Sequence, residues 1–134
     1  MNSKQVASLM FVALGLASST TAMSQSSKDM VDIKNPSELR ELFSNKTFKG
    51  STWTAHYRSD GKGQFIQANR KPEPSTWKIK GEDQVCIIIR GANVTSNNCY
   101  RYQRHKKNRA WVTQTNVAST AAYMFTLEDG IPKF

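Results

Sequence analysis

The chain reads as a mainly β protein, a small antiparallel β-barrel or sandwich of about seven strands preceded by one short amphipathic helix. Three observations carry that reading. Apolar and polar residues alternate with period two in several runs, of which Thr52 to Arg58 is the clearest. Turn signals such as Asp60-Gly61 and Gly81-Glu82-Asp83 separate these runs at intervals of about 8 to 15 residues. A single helix-start signature, Asn35-Pro36-Ser37-Glu38, stands ahead of them.

The elements follow in order. Lys4 supplies one positive charge, Val6 to Leu16 is almost wholly apolar, and Ser18-Ser19-Thr20-Thr21-Ala22 is small and polar, which is the layout of a secretory signal peptide over residues 1–22. The apolar run is about half the roughly 20 residues a spanning helix needs, so no transmembrane span is expected in the mature chain. Residues 23–34, rich in serine, read as a flexible N-terminal segment, and residues 35–134 as a single β domain. Within that domain Asn35 can cap a helix and Pro36 suits its first position, where a missing N–H costs nothing. Glu38 stands where a capping box needs an acid. Leu39, Leu42 and Phe43 then share one face of a helix over 36–44, which should pack as a lid or plug on the strands.

Thr52 to Arg58 places Trp53, Ala55 and Tyr57 on one face and Thr52, Thr54 and His56 on the other. Asp60-Gly61 turns the chain into Gln64 to Asn69, and a proline-interrupted loop, Arg70 to Ser75, leads to Thr76 to Lys80, where Trp77 and Ile79 share a face. Gln84 to Arg90 is apolar on both faces through Val85-Cys86-Ile87-Ile88-Ile89, and such a strand must be covered on both sides. The helix is the evident candidate for its outer cover. Cys99 to Arg104, Ala110 to Thr115 and Ala121 to Leu127 complete the set. Trp53, Tyr57, Phe65, Trp77, Trp111, Tyr123 and Phe125 are expected to fill the core, since so short a chain has little room for a cavity as well.

Cys86 and Cys99 are the only cysteines and fall in one predicted hairpin of an exported chain, so they should form a disulfide. A C-x-x-C redox pair, a four-ligand zinc site and a C-x-x-C-H haem site are all missing from the sequence. The balance of 19 basic against 10 acidic residues gives a formal charge of +9, one unit of which belongs to Lys4 in the leader. Charged partners should therefore be anionic.

The order Glu38-Leu39-Arg40-x-Leu42-Phe43-Ser44-x-Lys46-Thr47-x-x-Gly50, then Tyr57-x-x-Asp60-Gly61, then Trp77-x-Ile79-x-Gly81-Glu82-Asp83-x-Val85-Cys86, then Cys99-Tyr100 and a Gly130-x-Pro132 tail resembles a family of small exported proteobacterial β-domain proteins. The match runs over residues 35–134 and lies in order and spacing rather than in one motif. The resemblance implies a compact β domain behind a signal peptide and a pairing of Cys86 with Cys99. It carries over no catalytic residues. The segment Arg101 to Arg109 is more highly charged than that pattern.

Enzymatic readings suffer from scarcity. His56 sits on the polar face of its strand and reads as a surface histidine, His105 lies in a lysine-rich turn, and the adjacent acids Glu82-Asp83 and Glu128-Asp129 would point to opposite faces of any strand. No G-x-S-x-G elbow or S-x-x-K pair occurs, and no cofactor or metal is implied. The most functional-looking surface is the hairpin Tyr100 to Arg109. Its alternation puts Tyr100, Tyr102 and Arg104 on one face and Arg101 and Gln103 on the other, with Lys106 and Lys107 at the tip. Arg101, Arg104, Lys106, Lys107 and Arg109 are thus candidate anion-binding residues, since interleaved aromatics and cations can stack on and neutralise an anionic polymer. Charge that merely protects a hairpin from edge pairing explains the same residues. The functional expectation is a non-enzymatic binding module, periplasmic or secreted. Its target would be an anionic polymer, lipid or other envelope component, or a protein partner. The alternatives are a small-molecule carrier using the barrel interior and a minor hydrolase using His56.

Overall fold

Eight antiparallel strands close on themselves in the computed structural model, which describes residues 29–92 and 95–134. The expected leader, residues 1–22, and the stretch 23–28 lie outside the described residues. Strand β1 (Met30–Asp32) and helix α1 (Pro36–Phe43) precede β2 (Lys46–Lys49), β3 (Trp53–Tyr57), β4 (Lys62–Gln67), β5 (Glu73–Lys80), β6 (Gln84–Arg90), β7 (Thr95–His105), β8 (Trp111–Asn116) and β9 (Ala122–Asp129). Each strand from β2 onward pairs with the next in sequence, and β9 returns to β2 through Phe48 opposite Leu127, so the barrel is an up-and-down meander without a free edge.

Two strands went unforeseen. Lys46-Thr47-Phe48-Lys49 is too short and too polar to announce itself, and it is a strand because β3 and β9 both bond to it. Residues 30–32, counted by the sequence reading in a flexible segment, form β1 beside β7 instead. The cause lies in the eleven-residue length of β7. Its pairing with β6 ends at Arg101, leaving a vacant side from Tyr102 onward, and Ile33 N–H bonds there to Tyr102 O at 2.9 Å. Strand β5 also starts earlier than the proline suggests. Pro74 fits within it because the ladder to β6 begins only at Ser75.

Helix α1 forms as its caps dictate: Asn35 Oδ1 accepts from Ser37 N–H at 2.8 Å, and Ser44 Oγ donates to Arg40 O at 2.6 Å. Leu39, Leu42 and Phe43 are fully buried, but inside the barrel rather than on the outer face of β6. The Phe43 ring lies 4.7 to 5.4 Å from the rings of Phe48, Tyr57, Trp77 and Tyr102, which belong to four different strands. The helix is therefore a plug in one end of the barrel. A barrel encloses more apolar surface than its outer wall offers, so the amphipathic face goes inward. The outer face of β6 is covered instead by the disulfide, Cys86 standing directly opposite Cys99, while Ile88 is left half-exposed.

Candidate functional site

Alternation fixes what the plug does not fill. Val85, Ile87 and Ile89 face inward on β6. Across the ladder so do Tyr100, Asn98 and Ser96 on β7, and beyond them Gln114 on β8 and Tyr123 on β9. Trp53 and Tyr57 on β3 and Phe65 and Gln67 on β4 close the ring. In the half of the barrel away from α1 these side chains, Val85 and Asn98 excepted, line a cup of about 300 Å³, open at the end where β2–β3, β4–β5, β6–β7 and β8–β9 connect. The expectation that side chains fill the whole interior is thus corrected. The plug occupies one half, and among the described residues no second element enters the other.

Two glycines make room for the cup walls. A Cβ on Gly63 would stand 2.7 Å from Tyr57 Cδ1, and one on Gly50 would collide with the Trp53 indole, so each ring lies over bare backbone. Tyr57 and Tyr100 form the floor of the cup, with Tyr102 buried beneath. Tyr102 donates from its hydroxyl to Gln114 Oε1 at 3.1 Å, and Gln114 in turn lines the cup. Burial pushes the Tyr57 and Tyr102 hydroxyls far above the ordinary tyrosine range, and neighbouring tyrosines add to it. Burial also raises Tyr100, with hydrogen bonds to Asn98 and Asn116 pulling the other way. The floor thus offers neutral hydroxyls and amides, with aromatic and aliphatic walls above. Such a surface takes an apolar body with a few polar atoms.

The candidate anion-binding residues do not form one free cationic face. Arg104 points inward with its side chain only 11% exposed, donating from Nε to Arg109 O at 2.7 Å and from Nη1 to Glu41 Oε2 at 3.2 Å. Arg109 lies 3.9 Å from Glu38, and Arg101 donates to Asp83 Oδ2 at 3.2 Å. Lys106 and Lys107 are exposed at the tip. Tyr100 and Tyr102 share the inward face with Arg104, so the aromatics that were to interleave with the cations are inside the barrel. Arg104 and Arg109 instead join the hairpin to the two acids of the plug.

His56 is not a free surface side chain, being 9% exposed. Thr47 Oγ1 lies 2.9 Å from His56 Nδ1 and donates its single proton to Gly130 O at 2.8 Å, so Nδ1 must carry a hydrogen and donate to the hydroxyl. That is the reverse of nucleophile activation, in which the imidazole accepts. Burial and, after it, the Lys49 charge hold the His56 pKa below its ordinary value. His105 has the opposite tautomer: its Nδ1 accepts from the backbone N–H groups of Lys107 and Asn108 and so shapes the β7–β8 turn. Among the described residues no cluster of three or more His, Cys, Asp or Glu could hold a metal, and no helix is long and apolar enough to cross a membrane.

The sequence supplied Trp53, Tyr57, Phe65 and Tyr123 as core aromatics but missed Gln67, Ser96 and Gln114 as cup residues. Their signal was present in the alternation Ser96, Asn98, Tyr100, Tyr102, Arg104, whose polar upper half departs from an ordinary core strand. Trp111 is a correction in the other direction. At 36% exposed it stands on the outer wall against His105, because Val112 takes the inward position. Comparison with protein-family models, curated proteins and solved structures gives no match to this chain.

Proposed function

We propose that this protein is an exported binding module whose ligand is a small molecule seated in the barrel cup. The observation that carries the reading is the cup itself: about 300 Å³ of interior, at the lower end of the roughly 300–1,000 Å³ of small-molecule sites, with aromatics in its walls. Export over the leader 1–22, to the periplasm or beyond, belongs to the same proposal. It is supported by the Cys86–Cys99 disulfide, a bond that persists in oxidising compartments. Kinship with the small exported proteobacterial β domains is proposed on the same footing, from the motif order and the closed barrel. N-terminal sequencing of the exported protein tests the leader, with a start between Met23 and Ser26 expected and a retained Met1 counting against it.

The neutral probe 1-naphthamide tests the cup. Its binding should quench Trp53, and Ser96→Phe, which fills the space opposite Ile89, should abolish the binding while the protein still unfolds cooperatively. Binding that survives Ser96→Phe, or no binding to the wild type, would overturn the reading. A second reading, attachment to an anionic polymer, lipid or other envelope component through the β7–β8 tip, is supported by the adjacent exposed Lys106 and Lys107 and by the basic chain. It predicts an affinity for polyanions that falls steeply with salt and that Lys106→Gln with Lys107→Gln weakens.

A further inference from the structure

The acids of the barrel gather toward one end, while its bases lie at both. Asp32, Glu38, Glu41, Asp60, Glu82, Asp83, Glu128 and Asp129 all lie in the half that α1 plugs, on the helix, in the β3–β4 and β5–β6 turns, and where β9 ends. In the cup half the only carboxylate of the described chain is Glu73, which is buried. The described residues that connect strands around the mouth carry Arg70 and Lys71 and no acid, and Arg90 ends β6 beside them. All three side chains are exposed, and none has an ion-pair partner among the described residues. Lys49, also in this half, is already held by Glu128 at 3.2 Å.

Arg70 stands on a closed backbone turn. The turn that carries it is closed by Arg70 N–H to Gln67 O at 3.1 Å and Ala68 N–H to Thr52 O at 3.0 Å, with Asn69 in the left-handed region at φ 63°. A second hollow of about 310 Å³ lies at this corner, lined by the outward-facing Thr54 and Ile66 as well as by Arg70, Trp53 and Gln67, and the latter two also line the cup. Trp53 and Gln67 thus form the part of the rim that the cup shares with the Arg70 turn.

Building on the cup reading above, we infer that the ligand is an aromatic anion, with one or two rings seated among Trp53, Tyr57, Phe65 and Tyr100 and a carboxylate, sulfonate or phosphate head at the mouth beside Arg70 and Lys71. The head cannot go to the floor, which supplies tyrosine hydroxyls and amides but no cation, so a buried charge would be left uncompensated. At the mouth it keeps much of its water and gains a charge-assisted, bidentate partner in Arg70. The rings are favoured over a long alkyl chain because α1 stops the cup halfway down the barrel, and because the walls present faces and edges for stacking.

The test compares 1-naphthoate with its neutral isostere 1-naphthamide on the full, disulfide-bonded protein by calorimetry. Naphthoate should bind about tenfold tighter at low ionic strength, with the ratio shrinking in high salt as screening grows. Arg70→Gln with Lys71→Gln should bring the ratio near one and leave naphthamide affinity unchanged. Lys106→Gln with Lys107→Gln, at the opposite end, should leave the ratio as it is. A wild-type ratio near one, a ratio unmoved by the mouth variant, or an equal loss from the distal variant would each overturn the anionic-head inference while naphthamide binding upheld the cup. Failure of both probes would instead remove the cup reading itself.

Discussion

Replacing Phe43 by alanine should be the most destabilising single change in the helix, because this one side chain joins the plug to four strands. The ring is completely buried and lies within 4.7 to 5.4 Å of Phe48, Tyr57, Trp77 and Tyr102. Truncation removes about 100 Å³ of side chain, and at about 24 cal/mol per Å³ an uncollapsed cavity of that size alone costs about 2.4 kcal/mol. The lost transfer free energy of the ring adds about 2 kcal/mol more. The sum falls at the upper end of the range of about 3 to 5 kcal/mol for large aromatic truncations, a large share of the roughly 5 to 15 kcal/mol that holds a domain together. Phe43→Leu, which keeps most of the volume, should cost about 1 to 2 kcal/mol. Urea unfolding followed by far-UV circular dichroism measures both, with the slope m showing whether the native state stays compact. Ile88→Ala serves as the comparison, since half-exposed Ile88 on the outer face of β6 would be the helix contact if the helix covered the barrel from outside. It should cost about 1 kcal/mol or less. A Phe43→Ala cost no larger than that of Ile88→Ala would refute the plug.

Three further outcomes are expected. Cys86→Ser with Cys99→Ser should lower stability by about 2 to 4 kcal/mol, because the bond closes a loop of sequence separation 13, and thiol titration of the native protein should find no reactive cysteine. His56, whose pKa is depressed by burial, contributes stability above its unfolded pKa of about 6.5 that is lost as pH falls through its lower folded value. The unfolding free energy should therefore drop on going from pH 7.5 to 5 more in the wild type than in His56→Asn, and equal slopes would show the ring to be indifferent. Arg104→Met should cost about 1 to 3 kcal/mol through the lost bonds to Arg109 O and Glu41, whereas Glu41→Gln, at a more exposed carboxylate, should cost under about 1 kcal/mol. Similar losses from the two would mean that the Arg104 side chain is not held as described.

Local chemistry made much of this fold legible. A capping asparagine followed by proline, with Leu39, Leu42 and Phe43 at helical spacing, is enough to specify α1, and β-turn glycines with period-two alternation are enough to specify most of the strands. The pairing of Cys86 with Cys99 was legible too, because one hairpin turn sets their register. The candidate site was legible only as a list of aromatics. The cup depends on where the helix stops, and that is a contact between residue 43 and residues as far away as 102.

What alternation cannot decide is which face of a strand is the inside, and closure of the barrel decided it. Trp111 and Val112 are both apolar, and β8 places Val112 inward only because its register with Arg104 and Phe125 aligns that parity with the rest of the ring. The same closure turned Tyr100 and Tyr102 from surface partners of the hairpin cations into the lining of a cup and the core beneath it. It also brought Arg104 to Glu41, 63 residues away in sequence. The amino-acid sequence by itself determined the elements, their alternation and the disulfide, because each rests on interactions between near neighbours. Only the tertiary structure decided the plug, the cup and the gathering of the acids toward one end, because these arise from joining β9 to β2 and no local window contains both strands.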